Sequence, residues 1–266
     1  MLPFAFNETW LHRINPALKL ALSLVVFLFV LMTDNINILI YFTVFGFVLL
    51  ALFTGHPGRR VLLLSLPFVL LFVSSSVSMT FFGKGDTVWF KWGLIRISEE
   101  SFIRGMHVGL KTVNFAAVGL LFALTTRPVL LFYSLMQQAK LPAKYAYSFM
   151  AAMRLIPIMM DEFQILRQAL KVRGVRYRRG LAGVFDRLKM YAIPLLAQSI
   201  RRAQRIAVAM EAKRFSSGQA RTYYYETGFS GNDAVFAAYW MLAAALALYA
   251  GHHLPLLAVT DVRYSP

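Results

Sequence analysis

Three side chains able to carry or exchange charge, Arg104, His107 and Lys111, recur at three- and four-residue spacing inside an otherwise apolar stretch, residues 102–124. On a helix that spacing puts them on one face. Ionisable groups at membrane depth mark aqueous paths or proton relays. These three, however, sit in the first turns of their stretch, where long side chains reach the interface along their apolar stems, and snorkelling is the expectation. The adjacent His252 and His253 lack the spacing of a zinc helix and read as the solvated end of the last apolar stretch. Asp161-Glu162 lies mid-helix among basic residues, where salt bridging is the expected role. The 12 acids are otherwise scattered, without the in-span pairs that would hold magnesium for phosphate or prenyl transfer. No Gly-x-x-x-x-Gly-Lys-Ser/Thr loop occurs; Gly83-Lys84-Gly85-Asp86 and Gly109-Leu110-Lys111-Thr112 lack its spacing. The absence of cysteine removes disulfides, thiolate nucleophiles and Cys-ligated metal. Neither a catalytic residue nor a cofactor or metal site is expected.

The elements that must carry these residues follow from hydropathy. With 58% apolar and only 15% charged residues, a 266-residue chain has too little polar surface to cover a soluble domain. A crossing helix needs roughly 17 to 25 mostly apolar residues, because the hydrocarbon core is ~30 Å thick and each residue rises ~1.5 Å. Residues 17–32, 36–53, 61–82, 102–124 and 234–250 qualify, whereas 129–136 is too short. The first is read as an uncleaved span, since Asp34 and Asn35 interrupt and no small-residue cleavage pattern follows. Lys and Arg gather on the cytoplasmic side of membranes. Arg13 and Lys19 at the first span, and Arg59 and Arg60 after the second, therefore put the N-terminus inside. The loop 83–101 mixes Lys84, Lys91 and Arg96 with Asp86, Glu99 and Glu100 and suits the outside. The fold class is thus an all-α polytopic membrane protein of about five spans. Residues 1–125 form a four-helix membrane region, 126–231 a cytoplasmic block, and 232–266 the last span and a tail ending outside the inner membrane.

The block holds 18 Lys and Arg against five acids, so +13 of the chain's +16 lies there. Its pattern is helical, not low-complexity. One helix is expected over 144–172, with Pro157 as a kink and Gly174 as a stop; a second over 184–213 contains Pro194. Each has an apolar stripe: Ile158, Ile165, Leu166, Ala169 and Val172 on the first, Ile200, Ala203, Ile206, Ala207 and Met210 on the second. Each also ends in a cation, Arg173 in one and Lys213 or Arg214 in the other. The helix dipole favours such a charge by roughly 0.3–1 kcal/mol, so ordinary helix termination accounts for the tips as well as docking does.

Specific runs carry more. Asn15-Pro16-Ala17-Leu18-Lys19-Leu20, Arg154-Leu155-Ile156-Pro157 leading to Ala169-Leu170-Lys171-Val172-Arg173-Gly174, and Arg202-Ala203 leading to Ala209-Met210-Glu211-Ala212-Lys213-Arg214-Phe215 resemble the transmembrane T component of energy-coupling-factor transporters, over nearly the whole chain and in order. The resemblance implies a cytoplasmic coupling domain of long crossed amphipathic helices. It also implies that two short Ala-Arg-Gly-type tips dock on two ATPase subunits and that the apolar faces hold a substrate-binding membrane subunit. Arg173 and Gly174 match the first motif, with Val172 in place of alanine. In the second, Ala212 matches, Lys213 stands where arginine is expected and Arg214 where a small residue is expected. Arg154, Pro157, Glu162, Pro194 and Glu211 are expected to support the helices, Glu162 and Glu211 through intrahelical ion pairs.

A subunit without a nucleotide site is driven only by mechanical contact, and stiff helices with cationic ends suit that work. The implied cargo is a vitamin, vitamin precursor or metal ion, with thiamine or its pyrimidine precursor favoured from the look of residues 8–13. A membrane enzyme acting on lipid or prenyl substrates and a polybasic scaffold on anionic lipid are the rival readings. Nucleic acid is not expected as a partner, because the basic residues are tied to helices whose apolar stripes must be buried and no recognition module accompanies them.

Overall fold

The computed structural model describes residues 8–83, 88–92, 95–175, 180–215 and 222–257. A 3₁₀ turn (Trp10–Arg13) leads into α1 (Pro16–Met32), α2 (Ile36–Phe53) and α3 (Gly58–Phe82), then a two-stranded antiparallel hairpin of β1 (Val88–Trp92) and β2 (Ile95–Ser98). After it come α4 (Glu99–Thr125), α5 (Pro128–Gln138), α6 (Ala143–Val172), α7 (Leu181–Ala212) and α8 (Gly231–His253). The chain is thus helical and polytopic as the hydropathy demands. The hairpin is an addition that mixed loop charges did not announce; Lys84 and Asp86 of that loop lie outside the described residues.

Two compact units divide the chain: Met1–Leu131 with Thr227–Pro266, and Phe132–Glu226. The first unit holds the membrane helices. Helices α2, α3, α4 and α8 are long and apolar enough to cross. With 17 residues, α1 is at the lower limit, about 26 Å at ~1.5 Å per residue. Its core is built where α1, α2, α4 and α8 face each other, around Val30, Leu39, Phe42, Leu121, Phe236 and Trp240.

Polar groups tie these helices at both ends. At one end Asn15 caps α1 by accepting from the Ala17 N–H (3.0 Å), while its own N–H donates to Asp233 (2.7 Å) and its amide to the Gly228 carbonyl (3.2 Å). The buried Lys19 ammonium donates to the carbonyls of Leu11 (2.7 Å) and Thr125 (3.1 Å) and to the Thr125 hydroxyl (3.1 Å). Thr9 donates to the carbonyl of Phe53, the last residue of α2 (2.6 Å). Beside it His12 is held below its ordinary pKa, by burial first and then by the Lys19 charge.

At the other end Lys111 donates to the Leu31 carbonyl (2.9 Å) with Asp34 3.8 Å away, and His107 Nε2 lies 3.3 Å from the Thr33 carbonyl. The last carbonyls of a helix lack intrahelical donors. Lys111 and His107 meet that need at the end of α1 and so do not snorkel freely, as their position in the span had suggested; Arg104 is half-buried beside them. Asn37, near the start of α2, binds the backbone of Leu256 and Leu257 just past α8.

Candidate functional site

In the second unit α6 and α7 run as unbroken helices through Pro157 and Pro194. Tyr147 on α6 packs edge-on against Phe215 at the end of α7 (5.6 Å), Ser199 donates to the Met159 sulfur (2.9 Å), and the rings of Phe163 and Tyr191 lie 5.0 Å apart. Partners descend along α7 as positions ascend along α6. The two helices are therefore antiparallel, and their C-terminal tips point to opposite ends of the pair. At 30 and 32 residues each helix is about 45–48 Å long by the ~1.5 Å rise.

A half-buried ion pair between Glu162 and Arg202 joins the helices near their middle. Glu162 was expected to pair within α6, but its neighbours three and four residues away, Ile158, Met159, Ile165 and Leu166, carry no charge, so the nearest cation is across the interface. The same local lack leaves Asp161 exposed and without an ion pair among the described residues, contrary to the helix salt bridge expected of it. Arg154 and Pro194 are exposed, and Pro157 is half-buried.

The tips share one backbone geometry. At the end of α6, the Arg173 N–H donates to the Ala169 carbonyl (3.0 Å), the Gly174 N–H to that of Lys171 (3.1 Å) and the Val175 N–H to that of Leu170 (3.2 Å), with Gly174 left-handed at φ 66°. At the end of α7, Lys213 donates to Ala209 (3.2 Å), Arg214 to Glu211 (2.8 Å) and Phe215 to Met210 (2.9 Å), with Arg214 at φ 53°. Both are Schellman turns, which satisfy the last carbonyls of a helix. The register makes Lys213 the counterpart of Arg173 and Arg214 that of Gly174. Glycine meets no penalty in this region, whereas a side chain there costs roughly 1–2 kcal/mol. Arg173, Lys213 and Arg214 are all exposed and make no side-chain hydrogen bond or ion pair among the described residues. Glu211 contributes its backbone carbonyl to the second turn, and Ala212 is the last helical residue before it.

The faces between the tips are apolar and open. Of the predicted stripe, Ile165, Val172 and Ile200 are exposed, and they are joined by residues the stripe did not include, among them Ile156, Met160, Phe185, Leu188, Ile193 and Leu196. Leu188 and Leu196 are each 61% exposed. Soluble surfaces rarely carry contiguous apolar patches of such extent, and where they occur they mark contact with protein or membrane. Periodicity found the stripe but could not show how little of it the helix pair itself would cover.

Helices long and apolar enough to cross a bilayer, beside a second unit of stiff helices with cationic ends and open apolar faces, define a multi-pass membrane protein. The cobalt transport protein family, CbiQ, matches residues 7–224, and the chain belongs to it. It is 29% identical over 240 residues to "Energy-coupling factor transporter transmembrane protein EcfT" of Brevibacillus brevis, covering 87% of this chain and 90% of that protein. Proteins of the same name from Listeria innocua (30% over 229 residues; 82% and 85%) and Lacticaseibacillus paracasei (26% over 255 residues; 91% and 94%) are similar along nearly their whole length. The chain is a transmembrane T component of an energy-coupling-factor transporter.

Proposed function

We propose that this chain transmits ATP hydrolysis by two partner ATPase subunits to a substrate-binding membrane subunit, and has no catalytic residue of its own. The observation that carries the reading is the pair of matched Schellman turns, presenting Arg173 at one and Lys213 with Arg214 at the other, without side-chain partners among the described residues, at opposite ends of one antiparallel helix pair. Two ATPases that close on each other pull such ends together, and a helix pair pinned at Glu162–Arg202 converts that pull into a tilt of its apolar faces. Those faces hold the substrate-binding subunit. Residues 126–231 are the cytoplasmic coupling region, between membrane parts 1–125 and 232–266, and the positive block lies where the inside rule places it. The cargo is a vitamin, vitamin precursor or metal ion selected by the other membrane subunit, with thiamine-type compounds the first to test.

Co-expression with the cognate ATPases and binding subunit tests the reading. Arg173, Lys213 and Arg214 all replaced by glutamate should release the ATPases from the purified complex and reduce uptake at least tenfold. Assembly and uptake at the unmodified level would refute it.

A further inference from the structure

Arg214 stands at the one position of the α7 tip where glycine would relieve the backbone. Its φ of 53° matches the 66° of Gly174 at the other tip, a region in which a Cβ crowds the carbonyl that follows. Among the described residues nothing rewards the side chain for being there: it is exposed and forms no hydrogen bond or ion pair with them. Residues kept in sparsely populated backbone conformations gather at sites that bind or switch.

At the α6 tip one guanidinium, that of Arg173, occupies the cap position and bare glycine follows. An ammonium, that of Lys213, occupies the same cap position at the α7 tip, and the guanidinium comes one residue later, on the turn itself. Arginine grips a carboxylate with two parallel N–H bonds, whereas lysine offers a point charge. The planar fork is therefore displaced at the second tip, and a second cation has been added beside it.

Resting on the coupling role proposed above, we infer that Arg214 is the specificity-determining contact of the α7 tip, gripping a carboxylate in a docking groove that carries a further acidic group for Lys213, so that the two tips fit chemically different grooves. The α6 tip fits a groove with a single carboxylate facing Arg173. The tips are not interchangeable.

Arg214→Gly tests this without endangering the turn, because glycine is the residue the turn prefers; Arg214→Asn, which also tolerates the left-handed conformation, serves as a second variant. Lys213→Arg with Arg214→Gly gives the α7 tip the chemistry of the α6 tip. Each is purified with the ATPase and binding subunits in mild detergent, and ATPase retention is followed as salt is raised, with melting temperature as the control for folding. The expected result is that Arg214→Gly melts no lower than the parent yet binds the ATPases at least tenfold more weakly, that the double variant does not restore binding, and that Arg214→Lys restores part of it. Parental binding by either Arg214→Gly or the double variant overturns the inference. Arg173→Glu, run in parallel, separates the two levels of the argument. If it releases the ATPases while Arg214→Gly does not, the coupling role stands and only the role of Arg214 falls; if it has no effect, the coupling role itself fails.

Discussion

Lys19 is only 1% exposed, and its ammonium has a partner for each of its three protons, the Leu11 carbonyl and both oxygens of Thr125. Burying a charge is costly unless it is fully hydrogen-bonded, and one of the acceptors here, the Thr125 carbonyl at the end of α4, would otherwise lack a helical donor. The cation also suits the negative end of that helix dipole. Its loss therefore strands the acceptors as well as removing the bonds. Lys19→Met is expected to destabilise the protein by about 3 kcal/mol, within the range for losing charged hydrogen bonds in the interior. Thermal unfolding in detergent should show it, against Lys171→Met on the exposed face of α6 as a control with little effect. Arg214 is the converse case at this scale: the sequence placed it where a small residue was expected, but only the backbone shows that it holds the left-handed conformation of Gly174.

Among the elements, α3 and α4 depend on close shape at their seam. Gly105 and Gly109 lie one turn apart on α4, and a Cβ at Gly105 would stand 2.6 Å from the Thr80 hydroxyl and 2.7 Å from the Ser76 carbonyl. At Gly109 it would meet the Phe72 ring at 2.7 Å. Backbone cannot retreat as a ring can, so Gly105→Ala should cost more than Gly109→Ala, about 1–3 kcal/mol as for other overpacked sites. Melting temperatures of the two variants in one detergent give the order, and equal losses would count against this account of the seam. The spans and both long helices were readable in advance because length, hydropathy and terminal glycine are local signals. The pairing of Glu162 with Arg202, 40 residues apart, was not, since periodicity identifies a face and never the partner that covers it. Nor was the contact of Asn15 with Asp233, which lie 218 residues apart. The β1–β2 hairpin stayed hidden for another reason: its strands are only five and four residues long, too short for the alternation of Ile95-Arg96-Ile97-Ser98 to stand out from a loop.

For the whole first unit, the polar ties decide how many times the chain crosses. One set joins the start of α1 to the end of α4, and the residues at the start of α1 to the start of α8 and the end of α2. The other joins the end of α1 to the early turns of α4, and the start of α2 to the residues after α8. Helix α1 thus runs between the same two polar levels as α4, although it is 17 residues to the 27 of its neighbour. Five crossings are therefore the prediction, with Arg13 and Phe229 expected on one side of the membrane and Val88 and His253 on the other. The basic residues near Arg13 predict that this side is the cytoplasmic one. Because the chain has no cysteine, single replacements at these four exposed positions can be probed cleanly in intact cells. A membrane-impermeant maleimide should label Val88→Cys and His253→Cys, and should label Arg13→Cys and Phe229→Cys only after lysis. Labelling of Arg13→Cys and His253→Cys from the same side would remove α1 from the spans. Labelling of the opposite pair would keep the five crossings and reverse the orientation, placing the cationic tips where no cytoplasmic ATPase could reach them.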